Sequence, residues 1–246
     1  MEGIGERLIW YYVPFTDIEI PMGGVNVLTI FNTLLVMVAL LALFRMCIRG
    51  LSLEPGASQR VVEVYVDMFD NLVSTSLEFE DQRRNRAFFP LIGAMFLFLL
   101  LANYMGFWPG GIFEEPTADV NTTLGLGIMG MAIAIVCGVR EKGALGYLAE
   151  LCGPLFTEPG IAGKLSALFF FPLNVIGELA KVISISFRLF GNILGSGIII
   201  IVVTHLTLNF SWLAIGLDGF FIFFIGAVHA FVFTMLTLTY IAVAIK

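Results

Sequence analysis

Charge is scarce in this sequence: only 13% of its 246 residues are Asp, Glu, Lys or Arg, against about 25% in an ordinary soluble domain. That shortage excludes a soluble globular chain. Thirteen Lys and Arg stand against nineteen Asp and Glu, a net charge of -6, so the concentrated positive charge that nucleic acid requires is missing. Cys47, Cys137 and Cys152 are the only cysteines and lack metal-ligand spacing. They read as small hydrophobes on the side assigned below as cytoplasmic, where thiols stay reduced, and no metal or cofactor is expected. Residues 1–21 are polar and acidic, without the basic start and small-residue cleavage site of a secretory signal, so the first apolar block is expected to remain in the mature chain. No internal repeat or low-complexity tract appears, and 1–246 reads as one membrane domain.

What the chain has instead is apolar length. Hydrophobic residues make up 59% of it and the mean hydropathy is +0.95. Apolar blocks cover 25–48, 87–108, 122–139, 165–208 and 210–245. Each is long enough to cross a bilayer, where backbone polar groups must be paired inside helices or a closed barrel. Their Leu, Ile, Phe and Ala runs lack strand alternation, so the expectation is an all-α polytopic membrane protein with about five membrane segments. Arg45, Arg49, Arg60, Arg83, Arg84, Arg86, Arg140, Lys142, Lys164 and Lys246 share one side of that topology. Glu2, Glu6, Asp17, Glu19, Glu114, Glu115, Asp119 and Asp218 share the other, with Arg7 as its single basic residue. The positive-inside rule then puts segment 1–24 outside and Lys246 in the cytoplasm. The pair of segments in 87–139 is joined by an external connection.

Between the first two blocks, 58–80 carries Glu63, Asp67, Asp70, Asn71 and Ser74 on one helical face and Val62, Tyr65, Phe69, Leu72 and Val73 on another. This is an amphipathic helix expected at the membrane surface. Its acidic face suits protein contact better than anionic lipid.

Pro172 is the last of nine prolines, and 165–246 reads as a long helical hairpin. A helix over 173–208 has 36 residues and measures about 54 Å, against a hydrocarbon core of about 30 Å. It must be broken or steeply tilted, and tilt is the simpler solution. Asn174, Glu178, Lys181, Ser184, Arg188, Asn192 and Ser196 recur along it at steps of 4, 3, 3, 4, 4 and 4, which confines them to one stripe of roughly 120°. The stripe must face protein or water. Glu178 and Lys181 either neutralise one another or line an ion pathway.

Arg188 stays protonated at any physiological pH, and a charge at membrane depth costs about 2.5 to 3.5 kcal/mol on insertion scales. It needs an anion or water. Glu178 is ten residues away, about 15 Å along the axis, and no other carboxylate is expected at comparable depth, so the anion is assigned to another chain.

The run Ser186-Phe187-Arg188-Leu189-Phe190-Gly191-Asn192 resembles the signature of subunit a of rotary F-type ATP synthases. The resemblance extends back through Pro172-Leu173-Asn174, Glu178 and Lys181, and forward through Ala230-Phe231-Val232-Phe233, Leu236-Thr237 and Tyr240. A second island, Pro116-Thr117-Ala118-Asp119-Val120-Asn121-Thr122-Thr123, resembles bacterial and chloroplast members. The resemblance implies a non-catalytic stator subunit of the bacterial inner membrane. Its partners would be the c-ring, the peripheral-stalk b subunits and the rest of the complex. It implies two half-channels and an arginine gate that passes protons, or Na+, to and from carboxylates of the rotating ring, coupling ion flow to ATP synthesis or hydrolysis. On that reading Arg188, Asn192, His229, Glu178, Lys181 and Ser184 serve translocation, and Asp119, Asn121, Asn103 and Tyr240 are candidates for the external half-channel.

Three positions depart from the common bacterial pattern: Gly197 replaces a glutamate, His229 a glutamine and Val182 a proline. His229 shares a helical face with Tyr240 and either relays protons or is hydrogen-bonded structurally. Asp119 either opens the external half-channel or caps the following helix. The alternative function is an ion-coupled secondary transporter with a midplane site between repeats. A passive scaffold would not need an uncompensated deep arginine.

Overall fold

The computed structural model describes residues 9–10, 25–49, 56–79, 82–107, 115–153, 161–207 and 211–246. Expectations placed on 1–8, 11–24, Glu80, Trp108, Glu114, 208–210 and the side chains of Arg49 and Lys164 fall outside it. The helices are α1 (Val27–Arg49), α2 (Ala57–Leu77), α3 (Gln82–Tyr104), α4 (Val120–Leu151), α5 (Ile161–Leu206), α6 (Ser211–Phe220) and α7 (Gly226–Ile245). A π turn, Phe221–Ile225, joins α6 to α7 without interrupting the helix. Short 3-10 turns at Met105–Phe107 and Pro116–Ala118 close the loop end, and Ile9–Trp10 pairs antiparallel with Val25–Asn26. Among the described residues five helical stretches are long and apolar enough to cross a membrane: Val27–Cys47, Arg83–Phe107, Val120–Leu151, Leu168–Leu206 and Trp212–Ile245. The chain is an all-α polytopic membrane protein, as its composition implied.

Two helices run past their predicted ends. α5 begins at Ile161, so Pro172 lies inside it. The ring removes one backbone hydrogen bond, a loss that helices flanked by apolar sequence tolerate. At 46 residues α5 is about 69 Å long. α4 continues beyond the apolar block to Leu151, with a break at Gly143, whose φ is 77°. Only glycine adopts that backbone at no steric cost.

The packed centre joins α2, α3, α4, α5 and α7. Phe69, Val73 and Leu77 of α2 meet Ile92, Met95 and Leu99 of α3, while Ala230, Phe233, Leu238 and Ile241 of α7 fill the middle. This shows which face of the amphipathic helix is covered: its apolar residues pack on α3 and α7, and Asp70 of its acidic face pairs with Arg86 of α3 at 3.5 Å. At the same end Lys246 pairs with Glu78 at 2.7 Å, and that hydrogen bond holds the exposed Glu78 carboxyl below its ordinary range. Because lipid is as apolar as the side chains, close backbone approach must supply much of the helix association. Gly127 of α4 does so by lying directly against Ser186 of α5.

α5 contributes little to this centre. Among its described side chains only Ile185, Ser186 and Leu189 are buried. Ile176, Leu179, Ile183, Phe187, Leu194 and Ile198 are all exposed.

Candidate functional site

The α5 stripe divides into two groups, because α7 runs back antiparallel along α5 and different helices close each end. Asn174, Glu178 and Lys181 line a cavity of about 290 Å³ with Tyr147, Glu150 and Tyr240. Asn192, Ser196 and Gly197 line a second cavity, of about 160 Å³, with Asn103, Glu115 and Asp218. Both have room for several water molecules. Arg188 belongs to neither wall and is exposed on α5 between them.

In the first cavity Lys181 Nζ donates to Glu178 Oε1 at 2.6 Å, an i, i+3 ion pair. Its ammonium also lies 5.6 Å from the centre of the Tyr240 ring. Asn174 Nδ2 donates to the Leu151 carbonyl at 2.9 Å, tying the end of α4 to α5. Lys142 binds Glu150 at 2.5 Å across the Gly143 break. Carboxylates, an ammonium and a phenol around water-sized space can bind and pass protons.

The second cavity is held together by Asn103. Its Nδ2 donates to the Gly226 carbonyl at 2.9 Å, and its Oδ1 accepts from Thr117 Oγ1 at 2.8 Å. The adjacent Tyr104 hydroxyl donates to the Phe223 carbonyl at 3.1 Å. Two consecutive α3 side chains thus bind the π turn and its junction with α7, a type of turn found often at functional sites. Glu115 stands at the start of the Pro116–Ala118 turn, its backbone carbonyl accepting from the Ala118 N–H at 2.9 Å, and its carboxyl sits against Gly106. Burial, followed by the nearby charge of Asp218, pushes Glu115 up to about 7.

Arg188 has no carboxylate of the described residues within 4.0 Å. His229 of α7 is half-buried and close enough to feel the guanidinium electrostatically. Ser184, one turn before Arg188, is exposed on the same helix.

The four candidates for an external half-channel do not stay together. Asn103 lines the Asn192 cavity. Tyr240 lines the opposite one beside Glu178 and Lys181, because it sits at the far end of a helix antiparallel to α5. Asp119 Oδ1 accepts from the Asn121 backbone N–H at 2.9 Å and so caps α4, while Asn121 is exposed; neither lines either of these two cavities. Sequence reasoning placed Glu115 and Asp218 among external charges and passed over them as site residues. Asp218 lies inside the last apolar stretch, which was the available signal; a carboxylate within such a stretch marks function. Tyr147 and Glu150 carried no such signal, since they reach the first cavity only through the break at Gly143.

Residues 29–242 match the family described as ATP synthase A chain. The chain is 36% identical over 217 residues to ATP synthase subunit a of Moorella thermoacetica, covering 87% of this chain and 88% of the relative. It is 32% identical over 199 residues to that of Aliarcobacter butzleri, 80% of each chain. It is 30% identical over 217 residues to that of Campylobacter fetus, 88% of this chain and 89% of the relative.

Proposed function

Since the chain belongs to the ATP synthase A chain family, a multi-pass membrane subunit of the ATP synthase complex, we propose that it is the non-catalytic stator that passes ions to and from the rotor. The two polar cavities are its half-channels. The Asn192 cavity opens outside and the Glu178–Lys181 cavity opens to the cytoplasm, with the N-terminus outside and Lys246 inside a bacterial inner membrane. Membership in this family displaces the secondary-transporter reading.

The observation that carries the proposal is Arg188, an exposed permanent cation between two polar cavities with no carboxylate of the described residues beside it. A c-ring carboxylate is its counter-ion. The arginine holds that carboxylate deprotonated as it passes and blocks direct leakage between the cavities, because it attracts a carboxylate but does not itself release a proton. The bare outer face of α5 is where the ring turns, and the peripheral-stalk b subunits hold the stator against it. His229 and Asn192 set the water and hydrogen bonds around the gate, while Ser184 lies on its surface.

The test is Arg188→Ala in the complete complex reconstituted in vesicles. ATP-driven ion uptake should be abolished while the complex still assembles, and normal uptake would refute the gate. Arg188→Lys should also fail, since a compact ammonium lacks the planar fork and loses its proton when desolvated. Uptake measured against sodium concentration and pH identifies the coupling ion.

A further inference from the structure

We propose that Glu115 and Asp218 act together as the acid–base group of the Asn192 cavity, sharing one proton that is taken from outer water and released to water beside Asn192. This rests on the half-channel reading above. The α5 wall of the cavity offers an amide, a hydroxyl and a glycine: Asn192, Ser196 and Gly197. Amides and hydroxyls do not titrate near neutral pH. Ser196 already donates to the Ile193 carbonyl at 2.9 Å, and Asn103 is engaged at both ends of its amide. Glu115 and Asp218 are the only titratable side chains in the cavity wall among the described residues.

The surroundings are built for this pair. A methyl group at Gly106 would overlap the Glu115 carboxyl, so the glycine in the Met105–Phe107 turn leaves room for that group. The Pro116–Ala118 turn carrying Glu115 is fixed by the bond from Thr117 to Asn103, and Asp218 comes in from α6. Among the charged groups of the neighbouring elements, Arg188 lies one turn before Asn192 and outside the cavity, and His229 lies one turn beyond Gly226. The Tyr104 phenol of α3 donates to the Phe223 carbonyl. No cation of the described residues ion-pairs with either carboxyl. Two carboxyls lining one cavity hold one proton more readily than none, in keeping with the raised titration of Glu115. In each transfer a carboxyl O–H gives its proton to cavity water. The carboxylate left behind regains a proton from outer water, so the pair returns to its starting state; ATP-driven uptake runs the same two transfers in reverse, from cavity water to the carboxylate and from the carboxyl to outer water.

The test measures ATP-driven proton uptake against pH in vesicles carrying the complete complex, with Glu115→Gln, Asp218→Asn, both together, and both plus Gly197→Glu. Each single change should move the alkaline limb of the profile down by about one pH unit, because the remaining carboxyl loses its like-charged neighbour. The double change should lower uptake by about 10²-fold. Adding Gly197→Glu should restore part of it, since a side chain there has open space on the opposite wall of the same cavity. Copurification of the whole complex and its ATP hydrolysis in detergent report assembly. Wild-type uptake in the double variant, or loss without any shift in the singles, overturns the pair. If Arg188→Ala abolishes uptake in the same vesicles, the half-channel reading survives that failure; uptake in Arg188→Ala refutes the reading itself.

Discussion

Replacing Gly127 by alanine tests the crossing that holds the Arg188 helix in place. The added methyl group would overlap Ser186 Oγ and lie 3.3 Å from both Ile185 Cγ2 and the Val182 carbonyl oxygen. Ser186 is 1% exposed and its hydroxyl has no hydrogen-bond partner among the described residues, so it has little room to retreat. The Val182 oxygen is backbone and moves only if α5 moves. Overpacking of this kind costs about 1–3 kcal/mol, against a helix-propensity gain of at most about 1 kcal/mol for Gly→Ala. Gly125, two positions earlier on α4, faces open space and is the control. Gly127→Ala should lower the thermal midpoint of the purified complex and reduce ion uptake as α5 shifts, whereas Gly125→Ala should leave both unchanged or slightly raise the midpoint. Adding Ser186→Ala to Gly127→Ala should recover most of the loss, because it removes the hard overlap and leaves only the two tight contacts. Equal midpoints for Gly127→Ala and Gly125→Ala, with normal uptake in both, would refute this account of the crossing.

Three further outcomes are expected in reconstituted vesicles. Asn192→Ala should slow uptake more than Ser196→Ala, because Asn192 lies one turn from Arg188 and the Ser196 hydroxyl is already committed to a backbone carbonyl; equal rates would count against it. Reversing both Glu178 and Lys181 should restore more uptake than reversing either alone if their 2.6 Å pair is their whole role, and failure to rescue assigns at least one a place in the channel. His229→Gln should preserve turnover and His229→Leu should not, since an amide keeps hydrogen bonding without titration. A shifted pH profile in His229→Gln would support proton relay, and wild-type rates in His229→Leu would make the residue structural.

The membrane segments were legible because an apolar block crosses a bilayer by its own composition and length. The stripe on α5 was legible for a related reason, since helical spacing fixes which side chains share a face. What spacing on one helix does not reveal is what other elements bring to that face. Glu115 reads as an ordinary loop charge until Gly106 and Asp218 are seen around it. From sequence Tyr240 stands with Asp119, Asn121 and Asn103 as a candidate for the external half-channel, while the antiparallel course of α7 sets it beside Glu178 and Lys181. Pro172 misled by one rule applied locally: it marks helix ends in water, yet α5 continues on both sides of it.

The π turn at Phe221–Ile225 sets the rotational phase between the two halves of the last membrane helix. Such a turn is what one additional residue leaves behind when a helix absorbs it without moving either flank. The half carrying Asp218 and the half carrying His229 are therefore out of phase by about 100° relative to an unbroken α-helix. Deleting a single residue from this turn would cancel the offset. α7 would stay where α3 and α4 hold it, while α6 would rotate and carry Asp218 off the wall of the Asn192 cavity. One residue of length is thus enough to decide which way the carboxylate of this helix points, with no change in the helix's composition.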